Sequence, residues 1–157
     1  MAEAKLRHAA SKDISAIEAL LSAQHLPVYS LQEFLDTFWV LEDGGRIVGS
    51  TGLELYDDCS LLRSVVVEES YRRRHLGQRL VLKAIEEARR RGVRRMYLFT
   101  MEATDYFSRF GFRRCALEDF EPAVRQSFQY RGISSIPELA SRITPMLLDL
   151  AEDAEQG

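Results

Sequence analysis

One transition constrains this chain more than any other: an apolar strand-like run ends at Val67, and a helical repeat takes over from Gly77. Cys59 to Val67 reads as a strand. From Gly77 onward Leu80, Val81, Ala84, Ile85 and Ala88 recur on one face of a helix, and Gly92 stands where such a helix stops. Arg95 to Phe99 is again short and apolar. Strand, helix, strand in that order builds a crossover between parallel strands, which needs helical cover.

Upstream, Lys5 to Ala9 predicts a short first strand. Ser11 is read as the N-cap of a helix that carries Ile14, Ile17, Leu20 and Leu21 on one face. A looser helical piece is expected from Ser30 to Asp36. Phe38 to Leu41 and Arg46 to Tyr56 flank Glu42-Asp43-Gly44-Gly45, a hairpin signal, and Asp57-Asp58 marks the next turn. Downstream, the pattern predicts a helix over Ala103 to Phe110, a strand over Phe112 to Cys115 and a helix over Pro122 to Tyr130. Ile143 to Leu150 could close the sheet of its own chain or of a second copy, which leaves a homodimer open. The resulting class is α/β (α+β), one mixed sheet flanked by helices.

At 157 residues, with 46% apolar and 29% charged residues and no repeat or linker, a single domain over 1–157 is expected, its core about 5–150. Apolar stretches fall short of the ~20 residues that span a bilayer, and no signal-peptide pattern opens the sequence. Cys59 and Cys115 suit neither a disulfide framework nor a metal site, so a cytoplasmic protein without metal is expected. Net charge is -3, yet ten Lys or Arg lie between Arg72 and Arg95 against Glu86 and Glu87, while Asp149, Glu152, Asp153 and Glu155 make the tail acidic. A local basic cluster on an acidic chain points to one anionic ligand, not to nucleic acid or a membrane surface.

That cluster begins in the loop Arg72-Arg73-Arg74-His75-Leu76-Gly77-Gln78, which enters the strongest helix. Unpaired N–H groups at a helix start, the helix dipole, three arginines and a glycine suit a diphosphate. The segment has neither GxxxxGK[ST] nor GxGxxG. It resembles the acetyl-CoA loop of the GCN5-related N-acetyltransferase (GNAT) superfamily, Q/R-x-x-G-x-G/A, matching at Arg72 and Gly77 with His75 at the first glycine position. Ala103-Thr104-Asp105-Tyr106-Phe107-Ser108-Arg109-Phe110-Gly111-Phe112 resembles the superfamily's A-x-x-F-Y-x-x-x-G-F segment. Gly52-Leu53-Glu54-Leu55-Tyr56, Leu61-Leu62-Arg63-Ser64 and Tyr97-Leu98-Phe99-Thr100 look like small amino-acid N-acetyltransferases, those associated with arsenic resistance included, which are similar to the catalytic domain of N-acetylglutamate synthase.

The resemblance implies a sheet of about six to seven strands splayed between the fourth and fifth, with the pantetheine arm of acetyl-CoA in the gap. It places cofactor contacts at Val65, Val66 and Val67, at Arg72 to Gln78, and at Thr100 and Phe107. The acceptor would be the amine of a small carboxylate-bearing molecule; a peptide acceptor or a non-catalytic acetyl-CoA binder are the alternatives. With a turn at Asp57-Asp58, Glu54 and Arg63 fall diagonally on one face, with open space at Gly52. Glu54 suits a general base and Arg63 a substrate carboxylate, or the two form an exposed cross-strand ion pair of little energetic weight. Phe107 stands where many members have tyrosine and cannot donate a proton, Tyr106 points elsewhere, and the expectation is that water or another residue protonates the thiolate, or that no acid is needed.

Overall fold

The computed structural model describes residues 4–151; Glu152, Asp153 and Glu155 of the acidic tail lie outside the described residues. The strands are β1 (Lys5–His8), β2 (Phe38–Asp43), β3 (Arg46–Tyr56), β4 (Cys59–Val67), β5 (Arg95–Thr100), β6 (Arg113–Arg114) and β7 (Thr144–Asp149). They form one seven-stranded sheet in the order β1-β2-β3-β4-β5-β7-β6. Two compact units are distinguished along the chain. The first runs up to Glu54 and resumes over Leu62–Glu87; the second takes Leu55–Leu61 and the chain from Ala88 onward.

In the first unit β1, β2 and β3 are antiparallel, and Gly44 and Gly45 turn the β2–β3 hairpin with φ of 58° and 84°. Alternation along β2 sorts the core. Phe38 and Val40 pack with Ile17 and Leu21 of α1 (Ile14–Ala23) and with Val66, while Leu41 packs with Val48 and with Leu76 and Leu80 of α2 (Leu76–Arg90). The sheet here carries a helix on each face. Ser11 is not the cap that the sequence suggested. It sits in a 3₁₀ turn, and the Asp13 carboxylate accepts from Ala10 N–H at 2.7 Å and from both Nη atoms of Arg7 at 2.8 and 3.0 Å. Residues 30–36 are not helical either. Ser30 takes a φ of 61°, and only a 3₁₀ turn, Leu35–Thr37, precedes β2, held by the Thr37 hydroxyl donating to the Leu53 carbonyl at 2.6 Å.

In the second unit the parallel ladder pairs Cys59, Ser60 and Leu61, the first residues of β4, with Arg95, Met96 and Tyr97 of β5. β7 runs antiparallel to β5 and β6. Its core joins Cys59, Leu61, Tyr97, Phe120, Val124 and Leu147, with the Tyr97 and Phe120 rings stacked at 4.3 Å. The expected helix over 103–110 shrinks to α3 (Thr104–Ser108), and Gly111 at φ 100° turns the chain into β6. The helix expected from Pro122 is a 3₁₀ turn at Val124–Gln126. Ser127 is extended and caps the true helix, α4 (Phe128–Ser135), by accepting from Tyr130 N–H at 3.1 Å; α5 (Pro137–Ala140) follows. Arg94 and Arg95 belong to ion pairs of this unit, with Asp58 at 2.5 Å and Glu121 at 3.0 Å. No helix among the described residues is long and apolar enough to cross a membrane.

Candidate active site

Glu54 ends the run of buried residues in β3, and Arg63 lies on β4 beyond the turn where Asp57 adopts φ 56°. The Arg63 Nη1 donates to Glu54 Oε2 at 2.8 Å, with the two side chains 4% and 2% exposed. The exposed, weak ion pair allowed by the sequence is therefore corrected: this pair is buried. Removing one partner of such a pair leaves an uncompensated charge and costs about 3–5 kcal/mol. The open space expected at Gly52 is also absent. A Cβ on Gly52 would fall 2.3 Å from the Phe38 ring, which occupies that position and lies 5.6 Å from the Arg63 guanidinium.

Sequence reading missed the rest of the Arg63 surroundings. Its Nε donates to Ser64 Oγ at 2.9 Å, its Nη2 donates to the Pro27 carbonyl at 3.4 Å, and the Tyr29 ring centre is 5.1 Å from the guanidinium carbon. Burial pushes the Tyr29 phenol up to about 12, with Glu54 adding to the rise and Arg63 opposing it. Ser64 itself has φ 60°, a left-handed residue inside a strand. Its carbonyl accepts from the fully buried Ser50 hydroxyl at 2.7 Å. No sequence signal marks this kink, because serine is neither glycine nor asparagine, the residues that usually take that conformation.

The basic loop is exposed from Arg72 to His75, and α2 begins at Leu76. His75 has φ 60° and Arg73 φ 69°. His75 thus adopts at the glycine position the conformation that glycine permits, and its carbonyl accepts from Arg79 N–H at 3.2 Å as the helix begins. The first N–H groups of α2, at Leu76, Gly77 and Gln78, have no partner within the helix by construction. Arg72 Nε donates to the Val67 carbonyl at 3.2 Å, and Arg74 lies 4.9 Å over the Tyr71 ring. Tyr71 in turn donates to Asp43 at 2.5 Å. Two of the three arginines therefore brace the loop, while Arg73 is exposed. Of the strand leading into it, Val66 is buried, and Val65 and Val67 are half-buried.

Thr100 and Phe107 belong to the second unit. The Thr100 hydroxyl oxygen accepts from Ala103 N–H at 3.0 Å, closing the turn into α3. Phe107 is half-buried and packs edge-on against Tyr106 and Phe112 at 5.3 and 5.9 Å. Burial raises the Tyr106 phenol above its usual range.

Strand order, the parallel β4–β5 ladder and a positively charged loop entering the helix between them are the fold features that the sequence resemblance implied. Residues 9–112 match the acetyltransferase (GNAT) family, and the chain belongs to it. It is 31% identical over 98 residues to an amino-acid acetyltransferase of Aeromonas salmonicida, a match covering 61% of this chain and 22% of that protein. Among solved structures it is similar to a Mycobacterium tuberculosis protein in complex with CoA, with TM-score 0.79, 23% identity and 92% and 98% of the two chains covered. It also resembles N-acetylglutamate synthase of Neisseria gonorrhoeae complexed with coenzyme A and N-acetyl-glutamate, with TM-score 0.78, 23% identity and 96% and 36% covered. The chain thus spans little more than a fifth of the curated relative's length.

Proposed function

We propose that this acetyltransferase uses acetyl-CoA to acetylate the amine of a small carboxylate-bearing molecule, an amino acid or an analogue. The observation that carries this reading is the buried Glu54–Arg63 pair, a proton acceptor bonded to a carboxylate receptor on adjacent strands. The loop from Arg72 to Gln78 fits the cofactor's diphosphate, because His75 keeps the left-handed backbone of the glycine it replaces and the helix start offers N–H donors. Bound there, acetyl-CoA supplies an acetyl thioester whose carbon joins the amine nitrogen as the C–S bond breaks and its electron pair leaves on sulfur.

The chain's own groups do the rest. Arg73, with the N–H groups of Leu76, Gly77 and Gln78, holds the phosphates. Backbone groups of Val65, Val66 and Val67 are assigned to the remainder of the cofactor. Arg63 receives the acceptor's carboxylate through paired N–H donors. Glu54 takes one proton from the acceptor's ammonium group, which exposes the nitrogen lone pair. A second nitrogen proton is lost on transfer and reaches the sulfur through water. CoA thiol release across amino acids, simple amines and peptides tests the reading. Release with amino acids and its loss in E54Q is expected; release with peptides alone overturns it.

A further inference from the structure

The basic loop is tied at its start to the tip of the β2–β3 hairpin. Tyr71 closes the 3₁₀ turn that precedes the loop, and its ring packs on the core cluster of Leu41, Val48 and Leu76. Its hydroxyl donates to Asp43 at 2.5 Å. That bond, together with burial, raises the Tyr71 phenol above its usual range, so the hydroxyl keeps its proton at neutral pH and the tie holds. Arg46, across the hairpin turn, pairs with Glu68 as a second tie. Arg74 then lies 4.9 Å over the Tyr71 ring and forms no ion pair among the described residues. A guanidinium laid on an aromatic ring keeps its in-plane N–H donors for another partner.

CoA carries two separate anionic groups, the diphosphate and a phosphomonoester on the ribose 3′ oxygen. The loop divides its donors in the same way. The N–H groups at the start of α2 and the exposed Arg73 are assigned to the diphosphate, whereas Arg74 is drawn to the hairpin side by Tyr71. Resting on that assignment of the loop, we infer that Arg74 receives the 3′-phosphate of CoA, and that Tyr71, fixed by Asp43, is the positioning residue that aims it there. A phosphomonoester is close to doubly ionised at neutral pH and takes two N–H bonds from one guanidinium. The nearby carboxylates are already matched, Glu68 by Arg46 and Asp43 by the Tyr71 hydroxyl. An arginine on an exposed loop gives up rotamer freedom when it binds, and the ring beneath Arg74 removes part of that cost beforehand. The chain thereby distinguishes acetyl-CoA from acetyl thioesters that lack this phosphate.

Calorimetry of the full chain with CoA and with 3′-dephospho-CoA, at one ionic strength, tests this without any turnover. The wild-type protein is expected to bind CoA about tenfold more tightly, as one charged contact provides. R74Q, a change at an exposed side chain, is expected to bind both ligands with the wild-type affinity for dephospho-CoA. Y71L is expected to lose the preference in the same way although Arg74 is present, and Y71F, which keeps the ring but not the tie to Asp43, to reduce it to about threefold. Equal affinity of the wild-type protein for the two ligands overturns the inference and leaves the acetyl-transfer reading standing, since CoA still binds. Equal weakening of both ligands in R74Q overturns it too, because Arg74 would then serve a group that both share. A preference undiminished in Y71L and Y71F removes Tyr71 from the site. Binding of neither ligand overturns this inference together with the assignment of the cofactor loop.

Discussion

The Ser50 hydroxyl of β3 donates to the Ser64 carbonyl of β4 at 2.7 Å, and Ser64 is the residue whose left-handed φ of 60° kinks β4 next to Arg63. The bond gives the fully buried Ser50 hydroxyl its partner. Ser64 Oγ in turn fixes the Nε side of Arg63. The kink therefore decides which edge of the guanidinium remains for Glu54. S50A removes a buried donor and is expected to lower stability by about 1–3 kcal/mol in urea denaturation. S64G keeps the left-handed backbone but removes the acceptor of Arg63 Nε. It is expected to raise KM for the amino acid more than KM for acetyl-CoA. Equal changes in both constants would show that the kink does not act through Arg63.

His25 and Gly92 occupy one position at the ends of two helices. After α1, Leu26 N–H donates to the Leu21 carbonyl and His25 N–H to that of Ser22; after α2, Val93 N–H donates to Ala88 and Gly92 N–H to Arg89. Both central residues are left-handed, with φ of 59° and 76°. Glycine adopts that conformation without steric cost and histidine does not. H25G is expected to stabilise the protein by about 1 kcal/mol, and G92A to destabilise it by a similar amount. A denaturant midpoint unmoved by H25G would contradict the assignment.

His75 sets the same test in the cofactor loop. H75G preserves the required φ of 60° and is expected to leave CoA affinity within about threefold of the wild-type value by calorimetry. H75V places a β-branched residue where it strongly resists that conformation, and is expected to weaken CoA by about tenfold or more. If both variants bind equally well, the loop's backbone conformation is not what holds the diphosphate.

Arg7 holds the Asp13 carboxyl below the usual carboxylate range through its hydrogen bonds. A folded-state value depressed in this way gives stability that is present above the unfolded pKa of about 3.9 and is lost as pH falls through the lower folded value. Stability measured from neutral pH downward is therefore expected to fall more steeply in acid for the wild-type protein than for D13N. At neutral pH D13N itself is expected to cost about 1–3 kcal/mol, since it gives up charged hydrogen bonds to Arg7. Parallel pH profiles would remove Asp13 from the acid transition.

Local pattern determined most of what positions the site. The period change at Gly77 marked the crossover, Gly44-Gly45 and Asp57-Asp58 marked the hairpin turns, and the run of arginines marked the exposed loop that leads into α2, because each depends on neighbours within one or two turns of chain. Glu54 and Arg63 were legible as a pair for the same reason, being separated by a single tight turn. Tertiary structure decided what that pair is. A register shift at Leu41/Glu42 sets Phe38 across from Gly52, and the ring then fills the space a glycine had seemed to leave open. Pro27 and Tyr29, far away in sequence, come to lie on Arg63 only after α1 has ended at its left-handed histidine. Burial follows from this long-range packing, and burial turns what reads in the sequence as an exposed cross-strand ion pair into one closed off from water.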